Sequence, residues 1–478
     1  MKSETLRMKT EFLFVTLLSG ILTITLQAQT LEDAKEWYLE GRYAAALPLF
    51  QQEYQQDPGN ASLNQWLGVS LYETGRILEA EPYLSFAAEK KIPEAYLYLG
   101  ELYAKLYRFE EAAAEFEKYQ RINRRNQEAL DKLARRREYA EKLQKAVNRT
   151  EDIQVIDSLV LPKAKFLSAY NLSRSSGSLL PLNEFFKSLP VSDKTLYING
   201  REDKIYYSQG DQTTGLDLFT MDKLIDTFGN EKKLPEPVNE KGDQAYPFVM
   251  SDGVTLYFAS TGHASLGGYD LYVTRYNLAA DSYLTPNQLN MPFNSPFNDY
   301  LMVIDEEKGI GWFASDRFQP ADSVCVYTFI PNPQVTLLES DDPDIMIKRA
   351  RISAIADTWK EGANYDLLRE RARRKIVTLQ EPEADFLFVI NDRLTYHTLS
   401  DFRNDRARQI FAQALGLERQ WQDLNRNLSE RREQYANGNS NEDLQASILS
   451  MEKEAYALFR EIERLKVEAR NEEIGALN

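Results

Sequence analysis

The sequence predicts a multidomain α and β protein: an N-terminal α-solenoid, central antiparallel sheets and a C-terminal antiparallel helical hairpin. Three observations carry this reading. From Leu31 to Gln120 a helical pattern recurs with a period of about 34 residues. From Ile153 the apolar alternation drops to two, and β-branched and aromatic residues dominate. Beyond Asp401, two long charged stretches carry apolar residues at three- and four-residue steps, broken by Asn437-Gly-Asn-Ser-Asn441.

Composition agrees with several folded domains. The chain has 478 residues, 43% of them hydrophobic and 27% charged, enough to bury real cores. Lys and Arg number 57 against 73 Asp and Glu, a net charge of −16. That balance argues against a nucleic-acid partner, which needs a basic face to displace phosphate counterions. One cysteine and two histidines exclude an internal disulfide framework and a zinc–cysteine cluster, so no cofactor or metal is expected.

Residues 1–28 read as a cleaved signal peptide. Lys2, Arg7 and Lys9 precede the apolar run Phe12–Leu26, and Ala28 puts a small residue where a signal peptidase would cut. Met8 serves equally well as a start. No cysteine lies near the cut, so a lipoprotein anchor is not expected, and no later segment reaches transmembrane length. The expected location is the periplasm.

Residues 29–150 form the helical part. Gly41-Arg42-Tyr43 with Ala46 and Phe50 is matched by Gly75-Arg76-Ile77 with Ala80 and Leu84, and then by Arg108-Phe109 with Ala112 and Phe116. Leu67-Gly68 and Leu99-Gly100 occupy equivalent places in the first helices of the second and third units. Small residues at these points let paired helices touch, and Asn126–Asn148 caps the stack. The pattern resembles the tetratricopeptide repeat. The resemblance implies a concave face built by the first helix of each pair. On this register that face carries Tyr38, Gln65, Val69, Tyr72, Tyr98, Glu101 and Lys105. Tyrosines there either contact a partner or pack within the solenoid.

Residues 153–335 carry a second repeat. Tyr246–Ser260, with Asp252-Gly253 between two alternating apolar runs, reads as a tight hairpin followed by the strand Gly267–Thr274. The plan recurs at Asp203–Ser208 with Gly215–Thr220, and at Asp305–Ser315 with Val324–Thr328, at steps of roughly 50 residues. These segments resemble the WD40-like β-propeller repeat of the TolB type. Three units are too few to close a ring, so Ile153–Leu172 and Asp385–Tyr396 are candidates for missing strands.

Residues 340–400 read as a helix over Asp344–Lys375 followed by the Asp385–Tyr396 hairpin, and residues 401–475 as the helical hairpin. Asp344–Lys375 and the Arg135-Arg136-Arg137 run are basic; they either meet an anionic surface, or are solvated helix faces or pair with acidic neighbours. The helical hairpin is either a docking or oligomerisation element or folds back on the chain.

No catalytic signature is found. The chain has no nucleophile elbow and no phosphate loop, and Gly309-Ile-Gly311 lies inside a hairpin. His263 and His397 read as surface loop residues, and Cys325 as a buried strand residue. Nothing in the spacing of the many carboxylates selects an acid–base pair, so that possibility stays open.

The order of leader, tetratricopeptide units and Asp-Gly hairpin units is similar to a family of exported Bacteroidota proteins. Pro247–Ser260 and Met291-Pro-Phe-Asn-Ser-Pro-Phe-Asn-Asp299 carry the likeness over about residues 31–335. Longer relatives add an OmpA-like, peptidoglycan-gripping domain that is not apparent here, and some serve type IX secretion as periplasmic scaffolds. The resemblance implies a non-catalytic scaffold binding envelope proteins or peptide segments, peripherally associated with outer-membrane components. The alternative is a carbohydrate-binding or hydrolytic module using a propeller channel.

Overall fold

The computed structural model describes residues 30–187, 189, 194–211, 215–224, 227–374, 386, 388–391, 394–436 and 442–477. The expected leader, parts of the Asp385–Tyr396 hairpin and the Asn437–Asn441 break lie outside the described residues. The chain divides into two units, Met1–Ile376 and Val377–Asn478.

The first unit begins with helices α1 (Leu31–Leu39), α2 (Tyr43–Gln56), α3 (Ala61–Glu73), α4 (Ile77–Glu89), α5 (Pro93–Lys105), α6 (Phe109–Ile122) and α7 (Gln127–Val147). Side chains stop orphan amides at their starts: Thr30 and Asp33 form a reciprocal box at α1, and Asn60 and Asn126 accept from Leu63 N and Ala129 N. The small positions behave as the repeat requires. Ala46, Ala80 and Ala112 are buried. A Cβ on Gly68 would stand 2.7 Å from Leu84 Cγ, and one on Gly100 would stand 2.3 Å from Phe116 Cε1. Only glycine admits the facing helix that closely.

Strand β1 (Gln154–Pro162) follows, and the chain then builds three antiparallel sheets. The first contains β2 (Ser178–Pro181), β3 (Thr195–Ile198), β4 (Lys204–Asp211), β5 (Gly215–Lys223) and β6 (Phe228–Lys233), with the single turn α8 (Leu182–Phe185) after β2. The second contains β7 (Gln244–Val249), β8 (Thr255–Ser260), β9 (Asp270–Asn277) and β10 (Ser282–Tyr283), and β11 (Asn287–Gln288) also pairs with β9. The third contains β12 (Asp299–Asp305), β13 (Ile310–Ser315) and β14 (Ser323–Ile330), and β1 adds to β14 as its outer strand. The first strand of the β region thus joins the last sheet, the role foreseen for Ile153–Leu172.

Equivalent asparagines show that the sheets share one plan. Asn239 accepts from Leu218 N and donates to Leu218 O and Leu234 O. One repeat later, Asn294 accepts from Leu271 N and donates to Leu271 O and Leu289 O. Each buried amide binds a strand of one sheet to the connection that leads into the next.

The expected Asp344–Lys375 helix is broken into α9 (Pro343–Arg351), a 3-10 turn at Ile355–Thr358 and α10 (Asp366–Arg373). Ile352 turns left-handed (φ 53°), and the segment is shaped to β1. Thr358 Oγ1 accepts from Val155 N, Trp359 Nε1 donates to Val155 O, and Arg369 Nε donates to Ile156 O. Arg349 and Arg373 pair with Asp152 and Asp157. Arg349 and Arg373 of the basic stripe therefore pair with acidic neighbours within the protein, one of the uses expected for it.

The second unit holds β15 (Phe388–Asn391), β16 (Leu394–Tyr396), α11 (Asp405–Ala436) and α12 (Glu442–Leu477). Among the described residues β15 pairs with β16 in a sheet of its own, and this hairpin, expected as a source of missing strands, supplies none to the three central sheets. It packs instead into a core with Phe402, Phe411 and Ala469. Fully buried Glu473 accepts from Tyr396 Oη, Arg403 N and Asn404 N, tying α12 to the start of α11. Among the described residues no helix is long and apolar enough to cross a membrane.

Candidate functional site

The first helix of each pair brings the expected face together. Gln65 Nε2 donates to Tyr38 Oη at 2.7 Å, and the Tyr72 and Tyr98 rings meet edge-on at 5.4 Å. Tyr98 Oη donates to Glu73 at 2.9 Å. Lys105 Nζ lies 4.8 Å from the Tyr72 ring centre and 3.9 Å from Glu101.

The face is not an open groove along its length. Gln65, Val69, Tyr72, Tyr98 and Glu101 are buried, whereas Tyr38 and Lys105 are partly exposed. The covering element is α7. Its Arg136 pairs with Glu101 and stacks 5.1 Å over the Tyr98 ring, and Tyr139 shares the Lys105 ammonium. Sequence reasoning noticed the Arg135–Arg137 run but not its target. The signal was there in Glu101, the one acid on that face.

α7 also fastens the repeats to the sheets. Tyr139 Oη donates to Leu266 O at 2.7 Å, and Lys142 Nζ to Ala264 O and Ser265 O. Leu266 enters the core of the repeats together with Met291. The loop bearing Leu266 is held by Asp270, whose carboxylate accepts Leu266 N and Gln288 Nε2. Burial, with the nearby Asp299 charge, pushes Asp270 up to about 7. Asp299 is itself pushed up to about 6 by burial, although it pairs with the equally buried Arg317 at 2.7 Å.

An open cleft of about 690 Å³ lies between repeats and sheets. The α3–α4 turn from Tyr72 to Glu79 and Lys105 form one wall. Loops at Gly267-Gly268, Pro296–Asn298 and Phe318–Ala321 form the other, with Lys163 and Asp316. The wall offers the Phe297–Phe318 ring pair at 5.1 Å and the exposed Glu73 carboxylate. Burial lowers the Lys105 ammonium to about 8, offset in part by Glu73. Tyr72 Oη has no hydrogen-bond partner, and burial raises its pKa well above the usual phenol value. Two of the seven expected residues, Tyr72 and Lys105, thus line open space.

Lys163, Phe166, Tyr246, Tyr300 and Val324 leave about 10 Å³, at the lower limit for one water. His263, expected at the surface, is enclosed: its ring lies 3.0 Å from Ser260 Oγ and 2.9 Å from Pro237 O, between two connections the sequence keeps far apart. Cys325 is buried in β14, and burial raises its thiol pKa. Among the described residues no group of three His, Cys, Asp or Glu is placed to hold a metal ion.

The fold and its packed repeats define a protein with a helical-repeat interaction module at its N-terminus. The tetratricopeptide repeat family model matches residues 38–91, from the end of α1 through α4. No curated protein matches the chain.

Proposed function

We propose that this chain is a non-catalytic scaffold of the bacterial periplasm, exported with its leader removed near Ala28. It holds an extended segment of an envelope protein in the cleft between the α3–α4 turn and the sheet loops, as a peripheral part of an envelope assembly of the secretion type. The observation that carries the reading is the cleft itself: helical repeats are protein-binding modules, and here the part of their inner face left open by α7 faces aromatic loops of the sheets. Mixed charge and ring surface suit a peptide with polar and apolar side chains.

A photo-crosslinking residue at Thr74 or Gln319, both in the cleft wall, should capture an envelope protein in intact cells; one at exposed Glu89 should not. Equal capture at Glu89, or none in the cleft, overturns the reading. N-terminal sequencing of the mature chain should begin near Gln29, and a retained Met1 or Met8 removes the export.

A further inference from the structure

α12 has two apolar faces, and a two-helix hairpin accounts for only one. Ala455, Ile462, Leu465 and Ala469 are buried toward α11, and the side is latched by Lys466 to Glu418 and Arg432 to Glu452. Leu449, Tyr456 and Val467 stay 50%, 64% and 48% exposed, whereas the Phe459 ring leans on Trp421 of α11 with ring centres 6.0 Å apart. At 3.6 residues per turn, these three lie within about 20° of Tyr456, a stripe about 27 Å long. An apolar stripe of that length on a charged helix marks a contact surface.

The charges along the stripe say what covers it. Leu449, Lys453, Tyr456, Arg460, Glu463 and Val467 follow one another at alternating steps of four and three, the spacing of a coiled-coil seam. Set against a second copy running the opposite way, with the two-fold axis at Leu458, the seam complements itself. Leu449 then faces Val467 of the other copy, Lys453 faces Glu463, and Tyr456 faces Arg460 as a cation over a ring. A parallel, in-register pair would instead set Lys453, Arg460 and Glu463 each against itself. Among the described residues, none of these three is in an ion pair within the chain.

We propose that the protein forms a two-fold dimer through antiparallel packing of α12 on a second copy of α12. Light scattering and sedimentation of the full chain at tens of micromolar should give a dimer. Lys453→Glu and Glu463→Lys should each weaken association at least tenfold, and the double substitution should restore it, because the pair is then merely exchanged. Both positions are on the exposed side of the helix, so circular dichroism should be unchanged. A mixture of Leu449→Cys and Val467→Cys chains should form a mixed disulfide under oxidation, whereas Leu449→Cys alone should not. A monomeric wild type leaves the stripe to a different partner and overturns the proposal. Failure of the double substitution to restore association, or self-crosslinking at Leu449→Cys, overturns the antiparallel pairing.

Discussion

The Arg136 guanidinium lies 5.1 Å over the Tyr98 ring and pairs with Glu101, a carboxylate almost wholly withdrawn from water. One residue of α7 thereby closes the inner face of the repeats. Arg136→Ala leaves buried Glu101 with only the more distant Lys105 as counter-charge and should destabilise the first unit by about 1–3 kcal/mol. Urea unfolding measures this. Combining it with Glu101→Gln should recover part of the loss, and an unchanged midpoint would mean that α7 is not what covers this face.

The repeat glycines separate two effects. Gly100→Ala drives a methyl group into Phe116 and should cost about 1–3 kcal/mol by overpacking. Gly75→Ala meets no neighbour within 4 Å but must hold a φ of +82°, and should cost about 1–2 kcal/mol. Adding Phe116→Leu should relieve the first variant and not the second in thermal unfolding.

Removing the Asn294 amide takes this partner from Leu271 N and Leu289 O, while Leu271 O keeps only the Leu289 amide. Asn294→Ala should therefore destabilise by about 2–4 kcal/mol, and Asn239→Ala comparably, since it makes the same three bonds. Hydrogen exchange at Leu271 and Leu218 should accelerate first.

Asp270 makes stability depend on pH. Its folded value, about 7, exceeds the unfolded carboxylate value of about 4, so the folded state holds the proton more tightly. The stabilisation is fully present below about pH 4 and lost as pH rises through 7. The stability of the wild type relative to Asp270→Asn should therefore fall between pH 5 and pH 8. A difference constant with pH would show that Asp270 does not titrate in this range.

Much of the architecture was legible because it rests on local chemistry. The repeat period showed in Gly68, Gly100 and the alanines, since close helix contact tolerates only small residues. The hairpins showed in Asp252-Gly253, and the long helices in their apolar spacing. What escaped was pairing across distance. His263 looked exposed in Thr-Gly-His-Ala-Ser, yet Pro237 O and Ser260 Oγ enclose it. Asp344–Lys375 looked like one helix, yet the free edge of β1 draws Thr358 and Trp359 out of helical form to satisfy Val155.

The sequence by itself determined that helical repeats precede antiparallel sheets and a helical hairpin, because periodicity and turn residues act within a few positions along the chain. The tertiary structure alone decided which surfaces are open. Whether Tyr72 faces water or a neighbour depends on where α7 lies, and whether Asp385–Tyr396 extends a sheet depends on Phe402 and Phe411 being nearer partners. Burial is a property of neighbours distant in sequence. The binding face was therefore readable as a set of residues and became a cleft only once α7 and the sheet loops had been placed around it.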